Sequence, residues 1–168
     1  MKHRSGVFIA LIVLMLGLVS CGPKQDSLVL SRDFQGEIWN RFDYLEASFN
    51  VVKAPMTADL VMELCVSEVY PNIYPHHTDD GSFTFVMVID GPDGSSRSRE
   101  YKFHLKDRDG NFKSESVGGY YHFDLPLINE MSFWEKGEYS FYIENKYPKD
   151  PLYGIKSLNI RCLQIKTE

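Results

Sequence analysis

Residues 137–144 read GEYSFYIE, and apolar and polar side chains alternate along them with a period of two. Successive side chains of an extended strand point to opposite faces, so this stretch predicts a β-strand with one face in the core and one face in water. The two predicted faces are Tyr139, Phe141 and Ile143 on the inside and Ser140, Tyr142 and Glu144 on the outside.

Similar runs recur along the chain, whereas helical periodicity hardly appears. Residues 83–89 are almost wholly apolar, which predicts a central strand. In the last predicted strand the apolar positions change face between Cys162 and Leu163, which predicts a bulge near its end. Further strands are predicted over residues 42–52, 60–69, 101–106, 120–125 and 158–165.

Turn sequences separate these runs. Residues 90–94 (DGPDG) and 107–111 (DRDGN) each place a glycine where a tight turn needs a positive φ, so consecutive antiparallel hairpins are predicted. No internal repeat or second domain boundary is present. The sequence therefore predicts an all-β fold, a single antiparallel β-sandwich of the jelly-roll or immunoglobulin-like kind, over residues 31–168.

The N-terminal residues have the pattern of a bacterial lipoprotein signal. A basic tip precedes an apolar stretch over residues 7–19, and residues 18–21 read LVSC, which is the pattern of a lipobox. The apolar stretch is shorter than the ~20 residues of a membrane-spanning helix. We therefore predict a cleaved signal peptide over residues 1–20, a lipid on Cys21, a lipidated tether over residues 21–30, and a location in the cell envelope at the outer membrane.

The net charge of the chain limits the kinds of partner that we expect it to bind. The chain has 18 Lys+Arg and 23 Asp+Glu, and the signal contains two of the basic residues and no acidic ones. The remaining chain therefore has 16 basic and 23 acidic residues, a net charge of −7. This balance argues against nucleic acid or an anionic membrane surface as the main partner.

No catalytic or metal-binding motif stands out. Residues 107–111 resemble the start of a calcium loop, but glycine falls at its fourth position and Gly118 occupies the twelfth, where a glutamate is required. His76 and His77 precede Asp79 and Asp80, yet neighbours in an extended segment point to opposite sides, so residues 74–81 are interpreted as a solvated loop. We predict no enzymatic activity, no metal and no cofactor.

Two further cysteines, Cys65 and Cys162, leave two alternatives open. The envelope permits a disulfide between an early strand and the last one. The alternative that we favour is two small buried side chains. Neither cysteine lies in a cluster with the spacing of a zinc site.

Several short marks follow one another along the chain: Trp39, Phe42, Phe49, residues 70–72, 92–94, Leu105, residues 109–112, 118–119, 137–144 and 150–155. Their order and spacing resemble GldH, the gliding-motility lipoprotein family of the Bacteroidota, over residues 21–165. The resemblance implies a non-catalytic envelope lipoprotein that is associated with the gliding and secretion apparatus, has an envelope protein as its partner, and has no catalytic residues. Residues 146–149 (KYPK) depart from the family, which usually has an arginine there.

A second class of function is a module that binds a glycan or a peptide through exposed aromatic rings. Core packing is the alternative for these rings, and we expect it for at least half of them. The candidate rings are Trp39, Trp134, Tyr120 and Tyr121.

Two surface sites complete the predictions. Pro148 and Pro151 restrict residues 147–155, so Lys149, Leu152 and Tyr153 are a candidate partner surface; alternatively Leu152 and Ile155 plug the end of the sandwich. Residues 26–28 (DSL) resemble an O-glycosylation site of Bacteroidota envelope proteins, which makes Ser27 a candidate for modification in the tether.

Overall fold

A computed structural model describes residues 26–71 and 81–165. Nearly all of its regular structure is antiparallel strand, with one short 3₁₀ turn at Gln35–Glu37. Among these residues no helix has the length and apolar character needed to cross a membrane. The strands are β1 Asp26–Asp33, β2 Ile38–Trp39, β3 Leu45–Val51, β4 Met56–Ser67, β5 Phe83–Asp90, β6 Ser96–Phe103, β7 Ser116–Val117, β8 Tyr120–Phe133, β9 Gly137–Asn145, β10 Leu152–Tyr153 and β11 Ile155–Ile165.

The strands form two main sheets. A five-stranded sheet has the order β1-β11-β4-β8-β7, a four-stranded sheet has the order β3-β9-β5-β6, and β2 pairs with β10 in a small ribbon. The first strand lies beside the last one, and the chain passes repeatedly between the two sheets, with β5–β6 and β7–β8 as consecutive pairs within one sheet. This is the strand order of a jelly roll, so the structure confirms the predicted sandwich and decides between its two kinds.

The core lies between the two sheets and follows the predicted alternation. Tyr139, Phe141 and Ile143 of β9 are buried, and so are the alternate residues of β4 from Leu60 to Val66. Full burial of one such side chain contributes about 1.5–3 kcal/mol relative to exposure. A continuous set of aromatic rings joins the sheets to the end of the sandwich, with centroids 5.1 to 6.2 Å apart: Phe34, Trp39, Phe83, Phe85 and Tyr101.

The predicted tether is wrong beyond residue 25. Strand β1 begins at Asp26 and pairs with β11, because Val29 and Leu30 are apolar and buried in the core. Asp26, the first residue of β1, accepts hydrogen bonds from the guanidinium of Arg161 in β11. The same guanidinium donates to Glu63 at 2.7 Å. The domain therefore starts five residues earlier than residue 31. The predicted signal peptide and Cys21 lie outside the described residues.

Two details of the strand prediction are also corrected. The predicted bulge near the end of β11 is absent, since its pairing with β4 runs without a break from Ser157 to Ile165. The register shifts instead at Val29 on β1 and between Ile155 and Ser157. The β5–β6 hairpin is confirmed, whereas residues 107–111 close a single bridge between Lys106 and Phe112 and not a long hairpin.

Candidate functional site

One end of the sandwich is closed by two chain segments that we call the distal cap, residues 34–43 and 145–154. The first segment connects β1 to β3, and the second connects β9 to β11. Between them β2 pairs with β10, so that Trp39 lies opposite Leu152 and Ile38 opposite Tyr153. The cap includes all but the last residue of the segment 147–155, for which the sequence predicts a partner surface.

Trp39 is the centre of the cap and is fully buried. Its indole Nε1 donates to the Asp43 carbonyl oxygen at 2.7 Å, and its own carbonyl accepts from Asn145 Nδ2 at 3.3 Å. A buried indole needs a partner for its N–H, and the turn at Asp43 provides one. Trp39 is therefore a core residue and not an exposed ring for stacking.

Arg41 ties the two segments of the cap together. Its guanidinium Nη2 donates to the carbonyl oxygens of Tyr147 at 3.0 Å and Pro148 at 2.6 Å. Its backbone N–H donates to Asp150 Oδ1 at 2.8 Å. Hydrogen bonds from a charged donor are stronger than neutral ones, so these contacts fix the course of residues 147–150 across the end of the sandwich.

Glu37 links the cap to the five-stranded sheet. Its carboxylate accepts from Ser67 Oγ at 2.6 Å and from Tyr120 Oη at 2.9 Å. These two hydrogen bonds, first that of Ser67 and then that of Tyr120, lower the pKa of Glu37, and Lys156 lowers it further. The same carboxylate raises the pKa of Tyr120. Glu37 is therefore held as an anion with hydrogen-bond donors from β4 and β8.

Gly154 is the tightest point of the cap. Its N–H donates to the Glu37 carbonyl oxygen at 2.8 Å, and its carbonyl oxygen accepts from the Ser67 N–H at 2.9 Å. A Cβ at this position would lie 2.4 Å from the backbone nitrogen of Tyr70, and the residue has a φ of +81°. Only glycine fits this combination of left-handed backbone and close approach.

The outer surface of the cap carries two exposed aromatic rings, Phe42 at 74% and Tyr153 at 51% exposure. Lys149 is also exposed, whereas Leu152 is fully buried. The prediction that Leu152 belongs to the partner surface is therefore wrong. Adjacent residues of β10 point to opposite sides, so the Leu152 side chain packs into the end of the sandwich, as does Ile155. Phe42 was missed as a surface residue because the sequence placed it in a strand.

The four rings considered for glycan binding do not share one face. Tyr121 is half-buried and stacks on Phe112 with centroids 3.8 Å apart, and the half-buried Tyr120 is bound to Glu37. Trp134 is exposed, but it follows β8 at the end of the sandwich opposite the cap. Core packing is confirmed for Trp39, and these rings form no common platform.

A different ring pair lies on the outer face of the four-stranded sheet. Tyr44 and Tyr142 have centroids 5.1 Å apart at an interplanar angle of 34°. Tyr142 also lines an open depression, together with the carboxylates of Glu46 and Asp90. It is lined by Glu46, Ala47, Ser48, Asp90, Ser140, Phe141 and Tyr142.

The thiols of Cys65 and Cys162 do not form a disulfide. Cys65 and Cys162 are free and buried, as in the alternative favoured from the sequence. Cys65 Sγ lies 3.9 Å from His122 Nε2, but burial raises the pKa of this thiol, and it raises the pKa of Cys162 to about 11. A thiolate nucleophile needs the opposite shift. Within residues 26–71 and 81–165 no three His, Cys, Asp or Glu side chains gather as metal ligands; His76, His77, Asp79 and Asp80 lie outside the described residues.

The fold and the cap define a class of protein: a small jelly-roll domain whose chain enters at one end and is closed by an interlocked cap at the other. The chain belongs to the GldH lipoprotein family, whose model matches residues 30–162. This confirms the resemblance seen in the sequence, and membership implies a lipid-anchored protein of the cell envelope. No curated protein matches the chain.

Solved structures with some similarity are much larger proteins. A Bacillus thuringiensis Cry1Da tryptic core variant has 10% identity and a TM-score of 0.37, covering 84% of this chain and 21% of that one. The infectious bursal disease virus VP2 subviral particle has 7% identity and a TM-score of 0.36, covering 85% and 34%. This chain spans about a fifth to a third of their length, and TM-scores this low carry no argument about function.

Proposed function

We propose that this lipoprotein is a non-catalytic component of an outer-membrane assembly, the gliding and secretion apparatus that the family resemblance implies, and that it binds an envelope protein through the distal cap. The observation that carries the proposal is the exposure of Phe42 and Tyr153 on a backbone that is fixed on both sides. Arg41, next to Phe42, donates to the Tyr147 and Pro148 carbonyl oxygens, and Gly154, next to Tyr153, is fixed by its backbone hydrogen bonds to Glu37 and Ser67.

Rigid exposed aromatic rings suit a protein interface. Tyrosine is enriched among the residues that contribute most to binding, and a ring with two rotatable bonds loses little conformational entropy on docking. Lys149 and Asp150 are exposed in the same segment as Tyr153, and charged groups at an interface steer association more than they add affinity. The cap therefore displays both apolar rings and charged groups.

A non-catalytic role is supported by the environment of the groups that do chemistry elsewhere. Both buried thiols have a raised pKa, and the carboxylate of Glu37 is occupied by two hydroxyl donors. The Cys65–His122 pair lacks the activation that a nucleophile requires.

The test is capture of partners from native membranes with the lipid-anchored full chain. F42A and Y153A are compared with L28A, which removes an exposed apolar side chain from β1, away from the cap. We expect the cap variants to lose the co-purifying protein while their melting temperatures stay near that of L28A. In a host that glides, the double variant F42A/Y153A should also reduce colony spreading at normal protein abundance.

Retention of every co-purifying protein by F42A/Y153A would contradict the assignment of the cap. Partner loss that merely parallels a fall in melting temperature would contradict it as well, because the side chains would then act through stability alone.

The depression beside Tyr44 and Tyr142 favours a second candidate function, binding of a glycan. Tyrosine rings and carboxylates on one face supply the stacking surface and the hydrogen-bond acceptors that a sugar uses. Titration of the full chain with cell-wall and polysaccharide fragments tests this function, with Y142A as the binding variant and Y153A as the control. Saturable binding that is lost in Y142A and kept in Y153A would favour the glycan function over the cap.

A further inference from the structure

The end of the sandwich opposite the cap, which we call the tether-side end, is formed by loops 52–55, 91–95 and 134–136. These loops lie together because Val51 pairs with Gly137, and Met56 pairs with Phe133. The β5–β6 loop closes against them, since a Cβ on Gly137 would lie 2.8 Å from Pro92 Cβ. Strand β1 also starts at this end, so the chain that precedes Asp26 leaves the domain here.

Two large apolar side chains protrude from the tether-side end. Val52 is 72% exposed and Trp134 is 69% exposed. Each has an exposed lysine close by in sequence, Lys53 and Lys136. Tryptophan prefers the boundary between hydrocarbon and water, and lysine buries its apolar stem there while its amine stays hydrated.

The length of the tether brings this end close to the membrane. Five Cα–Cα steps separate Cys21 from Asp26, so the chain between them spans at most about 18 Å. Asp26 accepts from Arg161 and pairs with Leu163, so the tether is counted from Asp26, the first residue of β1.

The loops of the tether-side end project beyond Asp26, the first residue of β1, in the direction of the tether. Asp26 pairs with Leu163, Leu163 pairs with Asp59, and Met56 lies three residues further toward the tether-side end than Asp59. At the rise of a strand this distance is about 10 Å. The tether therefore leaves roughly 8 Å between the loops and the lipid to which Cys21 is attached, even when it is fully extended.

The charges at this end are balanced. Lys53 and Lys136 are accompanied by Asp93 and Glu135, all of them exposed. Together with the net charge of −7, this balance excludes attraction to anionic lipid as the driving force. Insertion of apolar side chains into the interface does not need such lipid.

We propose that the tether-side end rests on the phospholipid bilayer, with Trp134 and Val52 in the interfacial region, and that this contact holds the distal cap away from the membrane. The inference rests on lipid attachment at Cys21. It assigns a role to Trp134, whose exposure the cap does not explain. The orientation presents Phe42 and Tyr153 to a partner that approaches from outside the bilayer.

The chain has only two tryptophans, and Trp39 is buried, so Trp134 reports on its own surroundings. The lipidated full chain is reconstituted into phosphatidylcholine vesicles with brominated acyl chains, and lipid attachment is verified by mass on the same sample. We expect a blue shift and loss of most of the Trp134 emission, with the Trp39 emission that remains in W134F unchanged. The control F42W/W134F carries its second tryptophan on the cap and should show no quenching beyond that of W134F.

A second pair of variants tests the contact itself. V52E should reduce the quenching of Trp134, whereas V69E, at a similarly exposed valine after β4, should leave it unchanged. Unquenched Trp134 in the lipidated wild type, or equal quenching of the tryptophan introduced in F42W/W134F, would overturn the proposal. Partner capture plays no part in this measurement, so its failure leaves the proposed role of the cap standing.

Discussion

Substitution of Gly154 by alanine tests whether the close approach at the cap holds the end of the sandwich together. The added Cβ would lie 2.4 Å from the Tyr70 nitrogen and 2.7 Å from the Tyr70 Cα, both of them backbone atoms. Because these neighbours are not the tips of flexible side chains, the cap or β4 has to move. Both hydrogen bonds of Gly154, to Glu37 and Ser67, depend on its present position.

The expected loss has two parts. A left-handed backbone at a residue with a Cβ costs about 1–2 kcal/mol. Overpacking against a fixed neighbour adds about 1–3 kcal/mol. Gly94 is the matched control, because it has a φ of +79° and a Cβ added there would meet nothing within 4 Å, so that G94A carries the first part alone.

Urea unfolding of both variants in the W134F background, followed by the emission of the buried Trp39, measures their stability. We expect G154A to be less stable than G94A by about 1–3 kcal/mol. At about 2–4 °C per kcal/mol for a domain of this size, the melting temperatures should differ by roughly 2–12 °C. Equal stability of the two variants would refute the reasoning, because the close approach to Tyr70 would then cost nothing.

Four further predictions concern single residues. E37Q should lower the free energy of unfolding by about 1 kcal/mol at neutral pH. Folding lowers the pKa of Glu37 from its usual 4.5, so the stabilisation by the carboxylate is present above pH 4.5 and is lost as the pH falls through the folded-state pKa. The difference in stability between wild type and E37Q should therefore shrink in unfolding curves measured in acid. Cys65 and Cys162 should resist a thiol reagent at pH 8 and react once urea unfolds the chain, because both are buried; fast labelling of the folded chain would be inconsistent with that burial. C21A should yield an unprocessed or soluble product, and a mature wild-type chain whose mass includes no acyl groups would contradict lipidation. S27A should increase the gel mobility of the protein from its native host, because a glycan on Ser27 would be lost. Ser27 lies in β1, paired with Cys162, and not in a free tether. Unchanged mobility would show that Ser27 carries no glycan.

The sequence predicted the strands well because alternation reports directly on which side chains face the core. Residues 137–144 behave as predicted, with Tyr139, Phe141 and Ile143 inside. The period of two says nothing about which strand lies beside which, so the jelly-roll and immunoglobulin-like arrangements were equally compatible with the pattern. Pairing of the first strand with the last one depends on contacts between distant parts of the chain, as between Ser31 and Asn159, which are 128 residues apart.

The candidate site was only partly predictable. Residues 147–155 were recognised as a restricted segment, but the choice between Leu152 and Tyr153 as the exposed residue depends on which side of β10 meets the core. Glu37, Ser67 and Tyr120 come from three distant parts of the chain, and no spacing in the sequence brings them together.

Residues 146–149 read KYPK and lie in the cap, where the carbonyl oxygens of Tyr147 and Pro148 accept from the guanidinium of Arg41 on the opposite segment. Backbone carbonyls at a partly buried position need donors, and a guanidinium can serve two of them at once whichever segment carries it. Because Arg41 donates to backbone oxygens, its contacts do not require a particular side chain at residues 147 and 148. Phe42 and Tyr153, and not the framework beneath them, are therefore the residues to exchange when partner choice is measured.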